Sequence, residues 1–141
     1  MTTIAYRDGI IAYDSLVTCQ GVAVYKNYDK TMFVNGCRFF IAGSISDYDS
    51  IVNGWFSSAQ EDITASAIVV DSNNDVYECG YVDGKMFKEK IIFNDQYFAI
   101  GSGWQFALMA MDLGLSAEDA VKKASERCIY TGGVIRCFKV N

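Results

Sequence analysis

Four residues of this 141-residue chain could do chemistry together: Thr2, Asp14, Lys30 and Ser102. Their combination matters because the chain has no histidine. That excludes every Ser-His or Cys-His nucleophile pair and every imidazole-ligated metal. A hydrolase made from these residues must take its base from a carboxylate, a lysine or a terminal amine. Thr2 follows Met1, and an initiator methionine is readily removed when a small residue follows it. Removal leaves an α-amine with a pKa of about 8 beside the Thr2 hydroxyl. Threonine with its own terminal amine is a known nucleophile–base pairing. Each residue also has an ordinary reading: Thr2 starts a strand, Asp14 closes one in AYDS, and Lys30 in KNYDKTM is a solvated lysine.

Two small-residue turns carry the same ambiguity. GSG at 101–103 either presents an anion-binding helix N-terminus or is a tight strand-to-helix turn. It lacks the glycine spacing of a dinucleotide site or P-loop. AGS at 42–44 either frees a backbone N–H for a ligand or simply ends a strand.

The elements that must position these residues are readable from periodicity. Residues 2–6 and 10–14 form strands joined through Asp8-Gly9, and Lys30–Val34 pairs with Cys37–Ala42 around Asn35-Gly36. Tyr48, Ile51, Val52, Trp55 and Phe56 then fall on one helical face, with Ser46 and Asp49 at capping-box spacing. Strands return at 65–70, 75–80 and 85–92, the first two separated by Asp71-Ser72-Asn73-Asn74, and Phe98-Ala99-Ile100 runs into GSG. Trp104, Ala107, Leu108 and Met111 mark a helix ended by Gly114. A second helix starts at Ser116, capped from Asp119, with Ala117, Ala120, Val121, Ala124 and Cys128 inside. A last strand covers Val134–Val140. This order gives an α+β fold of antiparallel sheet with helices on its faces, and residues 1–141 form a single domain.

Composition narrows the function classes. At 51% hydrophobic and 21% charged residues, the chain is globular. No apolar run reaches the ~18 residues of a membrane span. A net charge of −5 with no basic stripe argues against nucleic acid as partner. The five cysteines form no CxxC pair and read as reduced, mostly buried small hydrophobes. The start lacks a signal-peptide pattern, so the expected location is the cytoplasm of a bacterium or a phage-infected host.

TTIAYRDGIIAYDS at the start, FIAGSISD at 40–47, SAIVVDSNNDVY at 66–77, YFAIGSGWQFALMA at 97–110 and LSAEDAVKKASERCIYTGG at 115–133 together resemble one family. They look like a proteasome β-type, HslV-like N-terminal-nucleophile hydrolase, nearly end to end. The resemblance implies a four-layer αββα sandwich of antiparallel sheets with one helix layer reduced, because Asp47 to Thr64 leaves room for one helix where family members place two. It implies threonine-type endopeptidase activity, with Thr2 as nucleophile after Met1 removal, its amine as base, and Asp14, Lys30 and Ser102 supporting them. Gly43 N–H would hold the oxyanion, and Ile41, Ala42 and Ser44 would bind substrate, Ile41 facing the pocket for the residue before the cut. No cofactor is required. Carbonyls of Ser125, Cys128 and Thr131 match a monovalent-cation loop, for Na+ or a similar ion. The implied partners are a polypeptide substrate, further copies of the chain in a homo-oligomer or ring, and an ATPase unfoldase.

The sequence departs from the family pattern where Tyr13 and Ser15 replace glycines around Asp14. Lys26 rivals Lys30 if the intervening loop is shifted. The alternative function is a catalytically silent scaffold or interaction protein of the same fold, favoured if Lys30 points away from Thr2. A third is hydrolysis of a non-peptide amide.

Overall fold

The computed structural model describes residues 2–58 and 60–140. Met1, whose removal the sequence reading invokes, lies outside the described residues. Four antiparallel hairpins with two-residue turns set the frame. They are β1 (Thr3–Arg7) with β2 (Ile10–Tyr13), β3 (Val17–Cys19) with β4 (Val22–Tyr25), β5 (Thr31–Val34) with β6 (Cys37–Ala42), and β8 (Val76–Val82) with β9 (Lys85–Lys90). Each turns through two residues with φ between +50° and +80°: Asp8-Gly9, Gln20-Gly21, Asn35-Gly36 and Asp83-Gly84. Such turns match the right-handed twist of the flanking strands, which is why Asp-Gly and Asn-Gly signal them. The β3–β4 ribbon is absent from the sequence reading. Its Gln20-Gly21 turn is a weaker signal, and all four residues of β4 are exposed, so no apolar alternation marks it.

The remaining elements are α1 (Tyr48–Ser57), β7 (Ser66–Val70), β10 (Phe98–Gly101), α2 (Trp104–Asp112), α3 (Ala117–Ser125) and β11 (Arg136–Lys139). One sheet has the order β10-β1-β2-β11 and another the order β5-β6-β7-β8-β9, while β3 and β4 pair separately. All pairings are antiparallel.

Period-two alternation decides which residues meet. Ile4 and Ile11 pack with Phe40, Ile68 and Val70, so one cluster draws on both large sheets. The intervening Ala5 and Ala12 face the other way, against Ala107, Ala110, Met111, Ala120 and Val121 of α2 and α3. Alanine on both sides lets these helices approach the strands closely. On the five-stranded sheet, Phe39, Ile41, Ala67 and Val69 meet Tyr48, Ile51 and Val52 of α1. The fold is therefore mixed α/β, with antiparallel sheets and, among the described residues, three α-helices.

Three details differ from the sequence expectations. The Ser46–Asp49 capping box does not form. A 3₁₀ turn over Ile45–Asp47 leads into α1, Asp47 is its N-cap without a side-chain bond, and Ser46 Oγ pairs with Ser44 Oγ at 2.8 Å. Trp104 is exposed rather than on the inner face of α2, where Ala110 joins Ala107 and Met111 instead. The last strand starts at Arg136, because Gly132 and Gly133 belong to a turn whose chain serves the site described next. The cap of α3 forms as read: Asp119 N–H donates to Ser116 Oγ at 3.2 Å.

Candidate active site

Thr2 lies immediately before β1, whose first residue pairs with Gly101 at the end of β10. The GSG turn wraps this start. Ser102 N–H donates to the Thr2 carbonyl at 2.7 Å, and Ser102 Oγ donates to the same oxygen at 3.3 Å. Gly101 has φ +96°, and a Cβ there would stand 1.9 Å from the Thr2 carbonyl oxygen. Only glycine permits that approach. GSG is thus a tight turn fitted around Thr2, with its central N–H used by the protein itself.

Asp14 follows β2 and is fully buried. Its Oδ1 accepts from Thr3 N–H at 3.2 Å and from Lys30 Nζ at 2.9 Å. Its Oδ2 accepts from Gly132 N–H at 3.0 Å and Leu16 N–H at 3.4 Å. Next to it, buried Ser15 bonds the carbonyls of Lys26 at 3.0 Å and Val134 at 2.5 Å through its hydroxyl, tying three chain segments together.

Lys30 directly precedes β5, and its carbonyl accepts from Ile41 N–H of β6 at 3.1 Å. That bond fixes the backbone so that the side chain runs inward. Lys30 Nζ donates to Thr2 Oγ1 as well as to Asp14. Thr2 is 1% exposed, Lys30 3% and Asp14 0%. Burial pushes the Lys30 ammonium below the ordinary lysine range, and the adjacent Asp14 charge and hydrogen bond offset this only in part. The rival Lys26 is exposed and contributes only its carbonyl, to Ser15 and to Val134 N–H.

A cavity of about 330 Å³ opens beside Thr2 and Lys30. Gly43 and Ser44 line it, with Leu16, Val17, Ile45 and Tyr48 as its apolar lining and Thr18 adding a hydroxyl. Gly43 has φ +142°, and a Cβ there would lie 2.8 Å from Ala65 Cβ. Tyr48 is buried, and burial first, then nearby Tyr28 and Asp14, raise its phenol well above the usual range, so it presents a neutral ring.

The structure therefore brings Thr2, Asp14, Lys30, Ser102, Gly43 and Ser44 to one place. Ile41 and Ala42 adjoin it, but their side chains point into the core. Both are core residues outside the cavity lining, Ile41 in the cluster under α1 and Ala42 between the sheets. On β6 their side chains alternate between two packed faces, and the apolar lining comes from Leu16, Val17, Ile45 and Tyr48. Sequence reasoning did not single out Leu16, Val17, Thr18 or Ile45. The apolar, β-branched Leu16-Val17-Thr18 run directly after Asp14 was the signal for the first three, and Ile45 carried none beyond its place after AGS.

The loop after α3 also closes on the site. Thr131 Oγ1 shares a hydrogen bond of 2.7 Å with Thr3 Oγ1, and Cys128 Sγ donates to Ser102 Oγ at 3.5 Å. The Cys128 carbonyl accepts from Thr131 N–H at 3.1 Å, and Ser125 Oγ donates to the Lys122 carbonyl at 2.5 Å. Among the described residues, no cluster of acidic, cysteine or histidine side chains could hold a metal ion. The cysteines differ in chemistry. Burial pushes Cys79 up to about 12, whereas Cys128, though also raised by burial, ends lowered through bonds with Ser102, Thr131 and the Tyr130 backbone.

No protein-family model matches the chain, and no curated protein matches it. Among solved structures, Thiobacillus denitrificans BPH, a bacterial proteasome homologue, is similar with a TM-score of 0.67 and 19% identity, over 99% of this chain and 98% of that one. Thiobacillus denitrificans BPH in complex with epoxomicin gives a TM-score of 0.68 at the same 19% identity, again over 99% and 98% of the two chains. No helix of the described residues is long and apolar enough to cross a membrane. At this identity the likeness is one of architecture, and the chain has a proteasome-like fold.

Proposed function

We propose that the chain is a threonine-type endopeptidase of the N-terminal-nucleophile kind, active once Met1 has been removed. The observation that carries this reading is the buried Lys30 ammonium, which donates to Thr2 Oγ1 while paired with Asp14 at 2.9 Å beside an open cavity. A buried ion pair is a poor source of stability, since desolvation consumes most of the Coulomb gain. Such groups at the edge of a cleft, aimed at a hydroxyl, mark a reactive centre.

In the proposed reaction Thr2 Oγ bonds to a peptide carbonyl carbon as its proton passes to the Thr2 α-amine. The positive charge of Lys30 favours the deprotonated forms of both groups. Gly43 N–H donates to the oxyanion. The amine then gives the proton to the leaving nitrogen as the C–N bond breaks, leaving an ester on Thr2. Water, deprotonated by the same amine, hydrolyses that ester and restores the hydroxyl. The orientation of Lys30 toward Thr2 weighs against a catalytically silent scaffold.

The same reading extends to architecture and assembly. The cluster between the large sheets, with α2 and α3 behind one and α1 behind the other, supports a four-layer αββα sandwich whose α1 layer is reduced. Exposed Phe106, Met109 and Leu113 along α2 and its end support self-association into a homo-oligomer or ring. A polypeptide substrate, an ATPase unfoldase, a monovalent ion such as Na+ at the Ser125–Thr131 loop and a bacterial or phage setting belong to the proposal as well.

The test combines intact mass, to establish Met1 removal, with peptide hydrolysis by wild type and Thr2→Ala. Wild type should cleave and carry a transient acyl adduct on its N-terminal peptide, whereas Thr2→Ala should lose at least about 10³-fold in kcat. Full activity in Thr2→Ala would sink the mechanism.

A further inference from the structure

The four-stranded sheet ends before the sheet that it covers. β10 is its edge, pairs with β1 alone and packs over β7, so the position beyond it lies over the inner face of β8. The phase of that edge is fixed by two bonds. Asp14 N–H donates to the Thr3 carbonyl on one side of β1, and Ser102 N–H donates to the Thr2 carbonyl on the other. Alternation then turns the backbone groups of Phe98 and Ile100 toward β1, and those of Ala99 and Gly101 outward. A cavity of about 440 Å³ lies along this edge, between Ser66 and Glu78 of the five-stranded sheet and Trp104 and Leu108 of α2.

Glu78 supplies the charge of this cavity. Its neighbours Tyr77 and Cys79 pack toward α1, so the Glu78 side chain takes the inner face of β8. Across the strand pair it meets Glu89, a like charge, which is an unfavourable pairing. Burial, and then Glu89, raise its carboxyl above the usual range. The lysines of β9 are engaged elsewhere, Lys88 with the Trp55 carbonyl at 2.7 Å and Lys90 with Asp75 at 3.2 Å. Among the described residues, no lysine or arginine forms an ion pair with Glu78.

We propose that the groove along β10 is a strand-addition site for an extended segment of a partner protein carrying a lysine or arginine between two apolar residues. The open edge supplies backbone donors and acceptors, and alternate side chains of an added strand point to opposite faces. A residue turned inward reaches Glu78, where a cation answers a half-buried carboxylate and relieves its repulsion with Glu89. The residues on either side of it turn to the helix face, where Trp104 and Leu108 stand one helical turn apart and Trp104 is 43% exposed. The aliphatic stem of the cation runs past the Phe98 ring. A second copy of this chain fits less well. Its other edge strand in the same sheet, β11, carries Arg136, already held by Asn27 at 2.9 Å and Asp29 at 3.8 Å. This surface is separate from the Thr2 chemistry and does not depend on it.

The experiment uses the full chain carrying Thr2→Ala, so that hydrolysis cannot consume the probe. Fluorescence anisotropy follows a labelled, capped seven-residue peptide with one lysine flanked by valines. It should bind with a Kd of about 10–100 µM, and glutamate in place of its lysine should weaken binding at least about tenfold. Glu78→Gln should weaken the lysine peptide about tenfold, and Glu78→Lys should reverse the preference. Glu78→Gln keeps the shape of the side chain and decides the matter if Glu78→Lys lowers the melting temperature. Methylating alternate amides of the probe should abolish binding in one phase and spare it in the other, as pairing along one edge requires. Absence of binding up to about 1 mM overturns the proposal. So does equal binding of the lysine and glutamate peptides, unchanged binding in Glu78→Gln, or indifference to the phase of methylation. Sedimentation without peptide completes the test: self-association that either Glu78 variant abolishes puts a second copy in the groove and overturns the assignment to a partner.

Discussion

Replacing Lys30 by methionine keeps most of the length and volume of the side chain while removing its charge. Two interactions go with it, the hydrogen bond to Thr2 Oγ1 and the 2.9 Å pair with Asp14. Loss of a preorganised donor at a reacting oxygen costs about 10²–10³ in kcat, so Lys30→Met should fall by that factor on a peptide substrate. Stability should suffer far less. Removing one partner of a buried ion pair typically costs ~3–5 kcal/mol because a charge is left uncompensated. Here Asp14 retains three backbone donors, Thr3, Gly132 and Leu16, and burial of the ammonium is itself unfavourable. The expected loss is therefore about 1–3 kcal/mol, or about 3–10 °C in Tm. A pH dependence follows from the lowered pKa. Between that lowered value and the ordinary lysine range, the unfolded chain binds the Lys30 proton and the folded chain does not. Wild-type stability relative to Lys30→Met must then rise with pH across this window, and the full penalty persists below it. Urea denaturation of both proteins near neutral pH and near the ordinary lysine pKa measures the difference. Folded Lys30→Met with kcat within about twofold of wild type would refute the role given to the ammonium.

Gly43→Ala should lose stability by about 2–4 kcal/mol, because it places a Cβ 2.8 Å from that of Ala65 at φ +142°. Its kcat should fall with it, and calorimetry with peptide hydrolysis reads both. Ser116→Ala, at the N-cap of α3, should cost about 1 kcal/mol in urea denaturation and leave kcat unchanged.

Much of this protein is legible without coordinates. The Asp-Gly and Asn-Gly pairs specify three of the four hairpins with two-residue turns, since those residues accept positive φ at both turn positions. The apolar spacing of Ile51 and Val52, and of Ala117, Ala120, Val121 and Ala124, places helices α1 and α3 and their buried faces. Absence of histidine alone narrows any nucleophilic chemistry to lysine, carboxylate or amine bases.

Tertiary structure decided what local pattern cannot hold. Lys26 and Lys30 are equivalent by composition. The pairing with Asp14, and the bond from Ile41 N–H to the Lys30 carbonyl just before β5, hold Lys30 toward Thr2, while Lys26 stays in solvent. Ile41 and Ile45 are likewise interchangeable as apolar residues near AGS. Burial under α1 takes the first, and the chain's exit from β6 puts the second at the cavity. Cys128 looks like any small hydrophobe until the loop after α3 folds back on Ser102. Sequence fixes periods and turns because these depend on neighbours along the chain. Which lysine, which isoleucine and which cysteine serve the site depends on contacts between residues far apart in sequence, such as Thr2 with Ser102 and Asp14 with Gly132.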